Sequence, residues 1–341
     1  MKGVRKKSTK QRRVNSRETQ VKHLIKCFAA TILGLVVGLA PAWVCAQDYP
    51  SKPIRILVAF PAGSPTDVIA RLAAPKLSES FGQPVIVENR GGAGGNIAAQ
   101  IVSKSTADGY TVLATSSAIA INVTLYKSPG FEMADFIPLL SAGASPNLIF
   151  AHPSVPAKNL RELFTLAKER PLSYASAGTG TGTQLFMEML KKETRTDITH
   201  VPFTPAAAVT AVLGNQAPVG ITSMPIALAH VKSGKLMALA VTTTRRVAAL
   251  PDIPTVGESG FPGLEDMTWF AFFLRAGTPA AIVSRLNAEL TRALELPEVS
   301  EKLVSLNITF TRNSTAEFGA MVGAEVAKYG KVIRETGAIA D

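Results

Sequence analysis

Cysteine is nearly absent from this chain of 341 residues, and the position of the two cysteines is informative. Cys27 and Cys45 both lie within the first 46 residues, which we interpret below as a leader. The rest of the chain contains none. Disulfides, thiol nucleophiles and thiolate metal ligands are therefore excluded from residues 47–341.

The chain also lacks an apolar run long enough to span a membrane as a regular helix. The run at residues 27–39 has 13 residues, whereas a spanning helix needs about 20. It follows a basic segment, residues 1–26, that holds ten Lys or Arg and one acid. This order of basic segment, short apolar run and small residues predicts a signal peptide over 1–46, with cleavage after Ala46 and export to the periplasm.

Two details of this leader stay open. Cys45 would be the acylated residue if the chain were a lipoprotein, although Val44 before it is a poor match to the small residue that such signals use. The basic segment is also unusually long. Translation from Val21 rather than from Met1 would give a leader of ordinary length.

Positive charge is scarce outside the leader. The formal net charge is +11, but residues 47–341 hold 26 basic and 24 acidic side chains. Residues 47–341, with a net charge of +2, lack the excess of Lys and Arg that is typical of proteins that bind nucleic-acid phosphates. No nucleic-acid partner is expected.

Catalytic and metal-binding patterns are missing as well. The four histidines (His23, His152, His200 and His230) show neither metal-ligand spacing nor a local Glu partner. No Gly-x-Ser-x-Gly motif occurs, and the acidic residues are scattered. Asp67 alone lies beside a candidate site, where capping of its own helix explains it almost as well. We expect no enzyme, no metal and no cofactor; a secreted carboxylate-acting enzyme with Asp67 as acid or base is the alternative.

Short apolar segments alternate with helical patterns along residues 54–242. Such alternation predicts an α/β fold with parallel-dominated sheets flanked by helices. Strands are predicted at 54–60, 84–89, 111–114, 147–151, 172–176, 198–203, 218–222, 236–242 and 267–274. Helices are predicted from Ser64 to Phe81 and over 96–104, 115–126, 160–169, 184–193, 206–213 and 225–232. Two closing helices are predicted to begin at Thr278-Pro279 and Ser314, and Pro75 is expected to kink the first helix.

Three loops of small residues, 61–67, 115–117 and 177–183, each follow a predicted strand and open a helix. The carboxyl ends of parallel strands lie at one edge of a sheet, so loops from one sheet meet there. Free backbone N–H groups and the positive ends of helix dipoles bind anions without Arg or Lys. Neither Gly91–Gly95 nor Gly178–Thr183 fits a nucleotide motif, because Ile97 replaces the required small residue and no Lys-Ser/Thr follows the second loop.

Several strings in the mature chain closely resemble the Bug family, the periplasmic receptors of tripartite tricarboxylate transporters. The likeness spans the mature chain in the family's order. The strings are Tyr49–Gly63 with Asp67 and Ala70-Arg71, Val85–Asn89 with Gly91–Gly95, Ala107–Thr111, Ser173–Gly178, Ile198–Pro202, Val231–Lys235 and Pro254–Glu258.

This resemblance implies a two-domain periplasmic-binding-protein fold of type II-like topology that closes on its ligand like a flytrap. Domain 1 is expected at 47–143 and 272–341, domain 2 at 144–271, with the ligand cleft between them. The implied function is capture of a small organic carboxylate, held by backbone amides, hydroxyls and waters, and its delivery to membrane permease subunits. A monomer is expected. A sensor that docks on a signalling partner is the alternative within the same fold.

Ligand contacts carried over by position come from both domains, although this sequence departs from the family at several sites. The usual Gly-Gly is Gly63-Ser64, an Asp is replaced by Thr222-Ser223, a Lys-Gly pair by Thr204-Pro205, and a frequent His by Gln184. A ligand with one carboxylate is thus as compatible with the sequence as one with two. The expected contacts are Ala62, Gly63, Ser64, Asp67, Ser116, Ser117, Ser176, Gly178, Thr179, Thr183 and Thr222.

Overall fold

A computed structural model describes residues 49–337 and Ala340, so the predicted signal peptide lies outside the described residues. The strands are β1 (Ile54–Val58), β2 (Val85–Asn89), β3 (Thr111–Ser116), β4 (Phe136–Ala151), β5 (Leu172–Ser176), β6 (Ile198–Pro202), β7 (Val219–Ser223), β8 (Met237–Val241) and β9 (Met267–Arg275). The helices are α1 (Pro65–Phe81), α2 (Asn96–Ser103), α3 (Ala118–Leu125), α4 (Leu160–Glu169), α5 (Gly182–Thr194), α6 (Pro205–Leu213), α7 (Met224–Lys232), α8 (Ala280–Glu295), α9 (Pro297–Ser305) and α10 (Thr315–Thr336). Single 3-10 turns occur at Ala93–Gly95 and Met133–Asp135.

The strands form one curled sheet in the order β2-β1-β3-β9-β4-β7-β5-β6, with β8 also paired to β4. The α/β class and the flanking helices are as the sequence predicted. Parallel pairs lie toward the two ends, between β1, β2 and β3 and between β5, β6 and β7. The central strands β4 and β9 pair antiparallel with all their neighbours.

Strand β4 belongs to both halves of the sheet. Its residues 136–146 pair with β9, and its residues 147–151 pair with β7 and β8. Two bulges interrupt the pairing with β9 and leave Leu139 and Ala142 as extra residues on β4. The predicted domain boundaries fall near this passage, and the division into two domains stays a prediction.

Both faces of each half are covered, as the alternation of buried residues shows. In β1, Ile56 packs with α1, α8 and α9, whereas Leu57 faces α2, α3 and α10. In β4, Ile149 packs with α4 and α5, whereas Phe150 faces α6 and α7. The closing helices therefore cover the first half of the sheet.

Local signals explain where α1 begins and ends. The Ser64 side chain accepts from the backbone N–H of Asp67 at 3.3 Å, and Pro65 occupies the first turn. Gly82 ends the helix with φ +63°, a conformation that favours glycine. Pro75 lies inside the helix, which continues through it.

Three expectations about element bounds are wrong. The helix predicted over 115–126 begins only at Ala118, because Thr115 and Ser116 continue β3. The strand predicted at 147–151 begins at Phe136, because Pro138, Gly143 and Pro146 hide the strand pattern. The first of two predicted closing helices is in fact two, since Pro297 starts α9 directly after α8. In the described part of the chain, no helix is long and apolar enough to cross a membrane.

Candidate functional site

The first turns of five helices meet at one small cavity of about 40 Å³ between the two halves of the sheet. From the first half come the starts of α1 and α3, and from the second half those of α5, α6 and α7. The lining residues are Phe60, Ser64, Pro65, Thr66, Ser116, Ser117, Ala177, Thr181, Gly182, Thr183, Pro205, Ser223, Thr268 and Phe270.

The sequence places a helix-starting residue at each of these points. Ser64, Ser117, Thr181, Thr204 and Ser223 are the N-cap residues of the five helices. Proline lies in the first turn of α1, α6 and α7, where its missing N–H costs no hydrogen bond. Backbone N–H groups in a first helical turn have no partner within the helix. The cavity is therefore surrounded by hydrogen-bond donors and by the positive ends of helix dipoles.

No Lys, Arg, His, Asp or Glu is among the residues that line this cavity in the described part of the chain. Its polar surface consists of hydroxyl and backbone groups, and Phe60 and Phe270 add apolar walls. An arrangement of this kind binds a small anion through hydrogen bonds and dipoles rather than through an ion pair.

The loop before α5 is held by its own side chains. Thr181 Oγ1 donates to the Gly178 carbonyl at 2.7 Å, and Gly180 N–H donates to Gln184 Oε1 at 2.8 Å. Ser176 Oγ lies 2.7 Å from His200 Nε2 and accepts from Gly178 N–H at 3.1 Å. Gln184 and Ser176 thus shape the loop from behind.

Ser176 and His200 are the closest approach to a catalytic pair, which needs a reachable nucleophile and an orienting acid. Ser176 is fully buried. Burial lowers the pKa of His200 to about 4, so the ring is neutral at physiological pH. The pair is better described as a brace for the glycine loop.

Asp67 also supports a loop. Its carboxylate accepts from Gly63 N–H at 2.9 Å, from Arg71 Nε at 3.0 Å and from Asn89 Nδ2 at 2.8 Å. Burial acts to raise the pKa of Asp67, but these hydrogen bonds outweigh it and the pKa is lowered. The carboxylate therefore stays ionised and occupied. The alternative enzyme hypothesis requires a carboxyl that is free to act as acid or base. The hydrogen bonds of Asp67 leave it unsuited to that role.

A second opening adjoins the cavity and shares Phe60, Ala177 and Pro205 with it. Two glycine loops face each other here, Gly92–Gly95 from the first half and Gly178–Gly180 from the second. Tyr126, which directly follows α3, donates to the Thr179 carbonyl at 3.5 Å. A Cβ on Gly94 would lie only 2.7 Å from that same carbonyl oxygen. Contact between the halves at this point thus depends on glycine.

The eleven predicted contact residues fall into four groups. Ser64, Ser116, Ser117 and Thr183 line the cavity, and Gly178 and Thr179 line the adjoining opening. Ala62 and Gly63 are exposed in the first loop. Asp67, Ser176 and Thr222 are buried, the first two in the roles described above. Thr222 faces the α6–α7 side with Leu148, and among the described residues its hydroxyl oxygen has no hydrogen-bond partner.

Several lining residues were not predicted. Ser223 was missed by one position, because alternation along β7 turns it to the opposite face from Thr222. Phe270 and Thr268 come from β9, for which the sequence predicted a strand over 267–274 and no ligand contact. Thr181 is itself an N-cap, and Thr66 and Gly182 follow the N-caps Ser64 and Thr181, so capping signals could have identified all three.

Asp266 was not predicted to matter, yet it lies directly behind the cavity wall. It is 8% exposed, and its carboxylate accepts from Asn147 Nδ2 and from the Tyr329 hydroxyl, both at 2.9 Å. Thr268, which lines the cavity, donates to Asn147 Oδ1 at 2.8 Å. Burial raises the pKa of Asp266 to about 6. Its partners come from β4 and α10, so the group ties several elements together.

No group of three or more His, Cys, Asp or Glu side chains is placed to hold a metal ion within the described residues. The cavity also holds none of the charged side chains that usually anchor a nucleotide phosphate. The arrangement fits binding of a small organic anion.

Comparison with known proteins agrees with this geometry. The family described as "Tripartite tricarboxylate transporter family receptor" matches residues 69–338. Protein BugT of Bordetella pertussis is 33% identical over 315 residues, which cover 90% of this chain and 97% of BugT.

Two solved structures share the fold closely. The periplasmic binding protein BugD superposes with a TM-score of 0.80 at 32% identity, over 85% of this chain and 99% of BugD. A protein of R. palustris solved with adipate gives the same TM-score, identity and coverage of both chains.

Proposed function

The chain belongs to the tripartite tricarboxylate transporter receptor family, and from this membership we propose that it is a periplasmic receptor for a small organic carboxylate. The ligand binds in the cavity where the five helices begin. The loaded receptor then presents it to the membrane permease of a tripartite transporter. The receptor performs no chemistry on the ligand.

One observation carries this proposal: five helix N-termini converge on a cavity lined by hydroxyls and without a charged side chain among its described lining residues. A carboxylate accepts several N–H and O–H hydrogen bonds at once, and the helix dipoles favour its negative charge. The adipate bound to the protein of R. palustris supports the carboxylate class. Closure of the two halves over the ligand, with the glycine loops in contact, completes the binding cycle.

The proposed partners and location follow from the family. A receptor of this kind works in the periplasm as a monomer and docks on permease subunits. The predicted signal peptide over 1–46 supports export. Docking on a signalling partner would use the same closed form, but no feature of the described residues favours it.

Titration of the mature chain, residues 47–341, with carboxylates tests the function. We expect one member of a panel of mono-, di- and tricarboxylates to bind one-to-one and to raise the melting temperature by several degrees. A ligand at 100 times its Kd stabilises the folded protein by about 2.7 kcal/mol. For a protein of this size, that stabilisation raises the melting temperature by several degrees.

The corresponding primary amides serve as controls, because they keep the shape and lose the charge. The protein is unfolded and refolded first to remove any bound ligand. Equal shifts with acids and amides, or no shift with any acid, would contradict the proposal.

Ser314→Ala, at the cap of α10 away from the cavity lining, gives the stability cost of losing a cap, which is about 1 kcal/mol. Ser64→Ala should add a loss of affinity to that cost.

A further inference from the structure

The charges nearest the cavity are two buried carboxylates, and they differ in how they are compensated. Asp67 forms an ion pair with Arg71 at 3.0 Å. The hydrogen-bond donors to Asp266 are an amide and a phenol, which are both neutral. On α10, the charged residues near Asp266 are Glu325 and Lys328, which lie 3.9 Å apart as an ion pair of their own. Among the described residues, Lys328 lowers the pKa of Asp266 only through space and Glu325 opposes it, so no cation forms an ion pair with the Asp266 carboxylate.

Only backbone separates Asp266 from part of the cavity. A Cβ on Gly182 would lie 3.4 Å from Asp266 Oδ2 and equally close to Ser117 Oγ. Gly182 and Ser117 both line the cavity and begin α5 and α3. Asn147 of β4 and Gly182 of α5, which lie next to Asp266, are uncharged, and so is Ser117, which lies next to Gly182. The Asp266 carboxylate therefore lies at the N-terminus of α5, the same dipole end that attracts a ligand anion.

We propose that Asp266 determines the ligand charge that this receptor accepts. Its ionised carboxyl repels a second negative charge at the end of the cavity lined by Ser117 and Gly182. The receptor therefore selects carboxylates whose other end is uncharged. This inference rests on the proposed carboxylate-binding function and narrows its ligand class to monocarboxylates.

The expected effect follows from Coulomb's law for two charges that lie just across the cavity wall. With an effective dielectric constant of about 20, one added charge within about 12 Å of Asp266 changes affinity by about tenfold or more. Protonation of Asp266 removes the repulsion. The pKa of Asp266 is raised to about 6. The preference for monocarboxylates over dicarboxylates is therefore complete near pH 8 and weakens as the pH falls through about 6.

The test measures affinity for matched pairs of acids, such as hexanoate with adipate and butyrate with succinate. In the wild type at pH 8, the monocarboxylate of the preferred pair should bind more tightly. In Asp266→Asn, the affinity for the dicarboxylate relative to its partner should rise by about tenfold. Asp266→Ala, which is equally neutral, should give the same ratio. Glu265→Gln is the matched control, since Glu265 is adjacent but exposed.

Comparison of the wild type with Asp266→Asn at each pH cancels the protonation of the ligand itself. Their difference should shrink as the pH falls below about 6, a change that a merely structural role would not produce. Binding with an unchanged ratio in both neutral variants, or an equal change in Glu265→Gln, would overturn the inference alone. If neither the wild type nor any of the variants bound any of these acids, the proposed function would be overturned as well.

Discussion

At the scale of single residues, buried titratable groups near the cavity act in opposite directions on stability. The His200 ring is neutral when folded and has an ordinary pKa near 6.5 when unfolded, so the unfolded chain takes up a proton first as the pH falls. Asp266 takes up a proton first in the folded chain, because its folded pKa exceeds its ordinary value. The wild-type free energy of unfolding should therefore change little between about pH 6.5 and pH 4 on account of these two groups.

Replacing His200 separates the two effects. His200→Gln keeps a hydrogen-bonding group beside Ser176 and removes the titration. Relative to the wild type, it should gain about 1–2 kcal/mol of stability on acidification from pH 7 to pH 4.5. Urea unfolding at the two pH values measures this. Asp266→Asn should instead lose stability relative to the wild type over the same pH range. If the free energies of unfolding of the two variants changed in the same direction with pH, the opposite effects assigned to His200 and Asp266 would be refuted.

At the scale of elements, the glycine loop before α5 limits how closely the two halves approach. A Cβ on Gly180 would collide with the Asn122 side chain on α3 and lie 2.9 Å from Cε2 of Tyr126, the residue after α3. Gly180→Ala should therefore hinder closure and weaken ligand affinity by about tenfold or more, beyond any loss of stability. Calorimetric titration beside a thermal melt checks both quantities.

Gly263→Ala is the matched control for that experiment. Gly263 has φ +82° and Gly180 has φ +79°, so the backbone strain is nearly the same. A Cβ on Gly263 meets no atom within 4 Å. The control should lose about 1 kcal/mol of stability and keep its affinity. Equal losses of affinity in both variants would mean that strain, not closure, is responsible.

Elements with strong local signals were predictable from the sequence, and those defined by distant contacts were not. Helix α4 runs from Leu160 to Glu169 as predicted because its cap and apolar spacing are local. The first part of β4 was missed because its partner, β9, lies far away in the sequence. The convergence of helix starts was predicted in outline. The role of Asp266 was not, since burial and the 2.9 Å contact with Tyr329 depend on tertiary packing.

At the scale of the whole molecule, charge and thiol distribution suit an exported receptor. The predicted leader holds ten basic residues and both cysteines, and the remainder is close to neutral. We expect the exported chain to begin at Gln47, which N-terminal sequencing of the periplasmic fraction would show. Cys45→Ser should leave processing intact if cleavage follows Ala46. Loss of processing in that variant would indicate lipidation at Cys45 instead.

The two bulges in β4 have a consequence for how the length of this segment can vary. Leu139 and Leu140 are adjacent yet pack in the same core, because a bulge reverses the alternation of faces. The second bulge, at Ala142, reverses it again, so Asn147 reaches Asp266 as if the strand were regular. Each bulge is one extra residue that the sheet absorbs, so deleting Leu139 or Ala142 would restore regular pairing with β9 and leave the register of the following residues unchanged. The first part of β4 therefore has a reserve of two residues in length, one at each bulge, before the strand that serves both halves loses its register.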